Sequence, residues 1–146
     1  MKKLKPLVFA FLAAFSLAGM AEEEVKTLPP IEEKAKHPAK VDLELLSKDA
    51  TYGYSDQNPI KVGSKEEYGG PDAEHAYLNL LLDAAGKPVK FQRLFSGGNS
   101  PDGKPLDCYE LTLSDGKKVR LWINMYYPEN KPEKQPAPVG FYKKKA

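Results

Sequence analysis

Two stretches of alternating apolar residues constrain this chain more than anything else in it: Leu106 to Leu113, "LDCYELTL", and Val119 to Tyr126, "VRLWINMY". Successive side chains of a strand point to opposite faces. Tyr109, Leu111 and Leu113 therefore share one face, and Val119, Leu121, Ile123 and Met125 share another. Asp115-Gly116 between them marks a hairpin turn. A two-residue turn would set Thr112 opposite Val119, polar against apolar, and a one-residue slip exchanges the faces. The expected arrangement is a three-residue loop that pairs Leu113 with Val119, Leu111 with Leu121 and Tyr109 with Ile123, leaving Trp122 on the other face.

A helix is expected to open at "GGPDAEHAYLNLLL". Gly70 can cap it, Pro71 suits its first position, and Asp72 and Glu74 place negative charge at the positive end of its dipole. Ala73, Ala76, Tyr77, Leu80 and Leu81 recur at helical spacing and form its predicted apolar face. Gly86 and Pro88 stop it, and a strand is predicted from Val89 to about Phe95, followed by a loop, "SGGNSPDGKP". "VDLELLSKDA", from Val41, reads as a short helix or a strand, and the residues after Tyr52 as a strand interrupted at Asn58-Pro59. The predicted fold class is α+β, one main helix packed on a small, largely antiparallel sheet with a C-terminal hairpin.

The first 21 residues have the layout of a secretory signal: Lys2, Lys3 and Lys5, an apolar run from Leu7 to Leu17, and small residues at Ala18, Gly19 and Ala21. Cleavage fits after Ala21 or after Ala18. The run is shorter than the ~20 residues that cross a bilayer as a helix, and no second such run follows, so no transmembrane segment is expected. "LAGM" carries Met20 where a lipoprotein has its acylated cysteine, so no lipid anchor is expected and the product reads as periplasmic or secreted. Losing the three leader lysines takes the formal charge from +2 to −1, which leaves no basic stripe for nucleic acid. Residues 22–40, rich in charge and proline, read as a flexible linker that includes His37; residues 41–142 read as one domain and 143–146 as a solvated basic tail.

Cys108 is the only cysteine, so no intramolecular disulfide is possible and stability must come from packing. A nucleophilic thiol needs a base and an electropositive surrounding, and His75 is the one histidine of the predicted domain. One cysteine and two histidines give no zinc spacing, so no metal and no cofactor are expected. "GNSPDGKP" mimics the spacing of a phosphate-binding loop, but Pro105 stands where the magnesium-binding hydroxyl belongs and a strand follows in place of a helix. A hydrolase with two carboxylates remains open, because their separation is spatial and adjacent pairs such as Glu66-Glu67 do not report it.

The remaining signal is "YGYSDQNPIKVG", Tyr52 to Gly63. Proline biases Asn58 to an extended or turn conformation, and the glycines permit backbone geometry that other residues avoid. Tyr52, Tyr54, Asn58 and Lys61, with Tyr68 near them and Trp122 and Tyr126 of the hairpin, could line an aromatic platform for a ligand; the same tyrosines could equally cap the core with their hydroxyls bonded. This motif, with "GPDAEHAYLNLLLDAAGKPVKFQRL", "LDCYELTLSDGKKVRLWINMYYPE" and "APVGF", resembles a family of small exported bacterial proteins, often lipoproteins, of uncharacterised function. Proteins of that kind sometimes carry a label as the aldolase that condenses phosphoenolpyruvate with a sugar phosphate. That chemistry is expected in a (β/α)₈ barrel of about 250 residues, which the roughly 125 residues after the leader cannot close. The expected function is a non-enzymatic binding or interaction module for an envelope glycan, peptide or protein. The alternatives are a small hydrolase or thiol enzyme using Cys108 or a carboxylate near His75, and a purely structural envelope protein.

Overall fold

A computed structural model describes residues 23–145, so the predicted leader lies outside the described residues. The chain is α+β. Strands β1 (Ile60–Lys61), β3 (Lys90–Gly97), β4 (Leu106–Thr112) and β5 (Lys118–Asn124) form one sheet in the order β1-β5-β4-β3. β1 runs parallel to β5, and the other neighbours are antiparallel. Helix α1 (Gly70–Asn79) follows β1; β2 (Leu81–Leu82) and β6 (Tyr142–Lys143) make a separate antiparallel pair. A single 3₁₀ turn, Pro132–Lys134, lies between β5 and β6.

The hairpin keeps the predicted faces and shifts the predicted register. Leu111 faces Val119, Tyr109 faces Leu121 and Asp107 faces Ile123. The loop does have three residues, Ser114 to Gly116, but it closes on the Leu113 amide, which donates to the Lys117 carbonyl at 2.9 Å. Pairing Leu113 with Val119 would leave two more residues in the loop. The difference is an even number of residues, so every side chain stays on its predicted side. Tyr109, Leu111, Val119, Leu121 and Ile123 are all buried against Tyr77 and Leu78 of α1.

Four other expectations are corrected. The inner stripe of α1 is Ala73, Glu74, Tyr77 and Leu78; Ala76 is exposed, because the helix turns a carboxylate toward the sheet. The helix ends at Asn79, and Leu81-Leu82 become β2 opposite β6. The motif from Tyr52 is no strand until Ile60: residues 49 to 58 form turns closed by the Ser55–Asn58 bridge. Gly53 is at φ +80°, which lets its carbonyl turn to accept the Trp122 amide at 2.7 Å. Gly63 lets the backbone after β1 pass the chain after β5, since a Cβ there would lie 2.4 Å from the Tyr127 carbonyl carbon.

The fourth correction concerns both ends of the chain. The segment expected as a flexible linker lies on the domain: Glu24 bridges Lys118, Leu28 joins the core, and His37 Nδ1 is hydrogen-bonded to the Tyr142 hydroxyl at 2.8 Å. Its few apolar residues suffice because Lys118 of β5 offers backbone partners to Glu23 and Val25, and Lys145 offers one to Lys40. Lys143, expected in a solvated tail, is fully buried. Its ammonium donates to the carbonyls of Pro132 and Gln135 and stands 4.7 Å from the centre of the Tyr77 ring. Desolvation lowers its pKa to about 8, opposed by the negative charges of Glu133 and Asp42.

The Gly63 contact is with backbone and has no flexible side chain to yield. Gly63→Ala is expected to lower the unfolding free energy by about 1–3 kcal/mol, read from the urea midpoint.

Candidate functional site

The chains leaving β1 and β5 run side by side and then part. The Val62 amide donates to the Asn124 carbonyl at 2.9 Å, and the Tyr127 amide to the Val62 carbonyl at 3.1 Å. From there residues 64–69 climb to the amino end of α1, while Met125 to Pro128 continue outward. A groove of about 510 Å³ opens where they separate, lined by Tyr68, Pro71, Lys104, Met125, Tyr126 and Pro128.

Each wall is held by identifiable bonds. Buried Asn124 accepts the Tyr126 amide on its Oδ1 at 3.0 Å and donates from Nδ2 to Asp102 at 2.9 Å. Asp102 also accepts from the Ser100 hydroxyl, the Lys104 amide and the Tyr127 hydroxyl. These bonds, the Ser100 hydroxyl first, hold its carboxyl well below the usual carboxylate range. The loop that mimics a phosphate-binding sequence is thus a turn wound around its own carboxylate, and it delivers the Lys104 ammonium to 5.1 Å from the centre of the Tyr126 ring.

The opposite wall stores strain. Tyr68 sits at φ +61°, a left-handed conformation costing a non-glycine residue roughly 1–2 kcal/mol. Its side chain is 89% exposed, so no packing inside the domain compensates. Tyr126, across the groove, is 40% exposed. Met125 supplies a polarizable thioether against Gly70, where a Cβ would come within 2.8 Å of the sulfur.

The six residues expected to share one site fall in four places. Tyr52 and Tyr54 pack against the core, as one of the two readings of the motif had it, except that the Tyr52 hydroxyl is buried without a hydrogen-bond partner. Burial pushes the Tyr52 hydroxyl up to about 12; the Tyr54 hydroxyl, which donates to the Val139 carbonyl, is also raised by desolvation. Asn58 holds its own turn by donating to Asp49 and Thr51. Trp122 lies on the other face of the sheet with Phe95, ring centres 5.5 Å apart. Tyr126 lines the groove, and Lys61 stands over the neighbouring Tyr127 ring at 5.2 Å. Tyr68, expected beside the platform, does line the groove with Tyr126, whereas Lys104 was missed.

Cys108 and His75 occupy opposite faces of β4. The thiol points away from the Tyr109 side, is fully buried, and is pushed up to about 11 by that burial. His75 packs on the Tyr109 and Phe91 rings at 6.0 and 5.6 Å between centres. The carboxylate beside His75 is Glu74, fully buried, with its Oε2 accepting from the Tyr109 hydroxyl at 2.8 Å. Asp107 adjoins it, accepting from the Ser96 hydroxyl and paired with Arg93 at 3.5 Å.

Among the described residues no group of three or more His, Cys, Asp or Glu is placed to hold a metal ion, and no helix is long and apolar enough to cross a membrane. Comparison with protein-family models, with curated proteins and with solved structures finds no match to this chain.

A thiol raised from 9.0 to about 11 carries roughly a hundredfold less thiolate at neutral pH. Native Cys108 is therefore expected to alkylate with iodoacetamide at least about a hundredfold more slowly than the urea-unfolded chain; equal rates would mean that the thiol is open and active.

Proposed function

We propose that this chain is an exported binding module, periplasmic or secreted, whose recognition surface is the groove between Tyr68 and Tyr126. Of the envelope ligands considered, the groove best suits a segment of peptide or protein. Tyrosine offers large, stiff contact area with a polar tip and is enriched at protein interfaces. Prolines and a methionine flank the two rings, and Lys104 adds one cation for a carboxylate or carbonyl of the ligand.

The observation that carries this reading is Tyr68. A bulky ring held out into solvent by a strained backbone costs the free protein stability and returns none to its packing. Such outliers gather at functional positions. Export is supported by the leader and by the resemblance to small exported bacterial proteins, and the buried, high-pKa thiol on the far side of β4 from His75 weakens the thiol-enzyme alternative.

Tyr68→Gly and Tyr126→Ala test the groove. Both should fold; Tyr68→Gly should keep or raise stability by up to about 1 kcal/mol, because glycine adopts positive φ freely. Each should weaken retention of solubilised envelope peptides on the immobilised protein about tenfold, the loss typical of an aromatic anchor. Unchanged peptide retention by both variants sinks the groove reading, and loss confined to glycan fragments replaces the peptide with a glycan.

A further inference from the structure

Glu74 is the one fully buried carboxylate on α1, and its surroundings suit only one of its two charge states. From β4 it faces the Tyr109 hydroxyl, which donates to Oε2 at 2.8 Å, and the Asp107 carboxylate. From β3 the nearest cation is Arg93, whose guanidinium is paired with Asp107 at 3.5 Å and whose side chain is 56% exposed. Ser96, also on β3, donates to Asp107. On its own helix His75 is exposed, with its ring against Phe91 and Tyr109. Oε1 of Glu74 is buried and has no hydrogen-bond partner.

An ionised Glu74 would thus sit out of water with one donor, no cation of its own and a second carboxylate as neighbour. Burying a charge without a partner is costly, and two carboxylates in one site oppose each other's ionisation. A neutral Glu74 meets neither objection. It keeps the Tyr109 hydrogen bond on Oε2, and a proton turns the partnerless Oε1 into a donor beside the Asp107 carboxylate, which can accept it.

We propose that Glu74 is a proton-dependent clasp, which fastens α1 to the sheet as a neutral carboxylic acid and opposes that attachment once ionised. The clasp stands apart from the groove and from whatever the groove binds.

Its sign follows from linkage. Desolvation, reinforced by Asp107 and opposed by the Tyr109 bond and Arg93, raises the Glu74 carboxyl from 4.5 to about 8. Between those values the unfolded chain releases a proton that the native chain retains. The stabilisation is present in full below about 4.5 and is lost as pH rises through about 8, at about tenfold in the folding equilibrium constant per pH unit.

The test compares urea unfolding of the parent chain and Glu74→Gln from pH 5 to 9. The parent should lose stability with rising pH by one proton more than the variant, so that the variant gains on it steadily up to about pH 8 and the gain levels off above that. Carbon-13 titration of the glutamate side chains should show one carboxyl with a midpoint near 8 in the parent and none there in Glu74→Gln. Parallel stability profiles, or no glutamate titrating above pH 6, would overturn the clasp. Should Glu74→Gln not fold, Asp107→Asn removes the neighbouring charge and should lower the midpoint of that carboxyl; an unmoved midpoint overturns the proposal equally.

Discussion

The backbone of β5 is paired along both edges, and the rest of the molecule is arranged by that demand. β4 takes one edge over six paired residues. The other edge is filled in turn by Glu23 to Val25 at Lys118, by Gly53 at Trp122, and by Ile60 to Val62 from Ile123 to Tyr127. The first of those segments is nearly thirty residues from the other two. A strand in the middle of a sheet cannot leave its amides and carbonyls unpaired away from water, so these three segments are drawn to one line, while residues 40–47 pair instead with the carboxyl-terminal chain. The groove exists because that line ends: past Tyr127 the two chains no longer pair and their side chains face each other across open space.

A second constraint comes from chemistry the chain lacks. With one cysteine it has no internal disulfide, and its interior is built in large part from tyrosine. Tyr77, Tyr109 and Tyr142 are essentially inaccessible, and each hydroxyl meets a partner: the Pro136 carbonyl at 2.6 Å, Glu74 at 2.8 Å, His37 at 2.8 Å. Tyrosine brings apolar mass and one directed bond together, so these contacts fix relative position as well as fill volume. Lys143 works likewise at the carboxyl end, where its ammonium gathers two carbonyls and a ring face. Stability in this design depends on groups that titrate, which ordinary aliphatic cores avoid.

Much of the fold was legible in the sequence and rather little of the site. The α1 helix and the β4–β5 hairpin were readable because capping residues and alternation are local signals. The hairpin register was misread by two residues because alternation is blind to even shifts. Glu74 was assigned to the helix dipole, a sound local role, while Tyr109 and Asp107, more than thirty residues away, gave it a buried one. Residues 22–40 read as too polar to order themselves; what holds residues 23–40 is distant in the chain, the edge of β5 for Glu23 to Val25, the core for Leu28 and Tyr142 for His37. Tyr68 was readable as an aromatic beside the motif, but its left-handed backbone was not, because strain is a property of φ and leaves no trace in composition.

The sequence by itself determined the class of fold, the helix, the two long strands and their faces, because each depends on the period of apolar residues over a few turns or pleats. Only the tertiary structure decided that Tyr52 and Tyr54 belong to the core, that Trp122 and Tyr126 serve different surfaces, and that Glu74 and Lys143 are buried. Whether a polar or aromatic side chain meets water or protein is set by neighbours distant along the chain, and the free energy of desolvation that follows has no local signature.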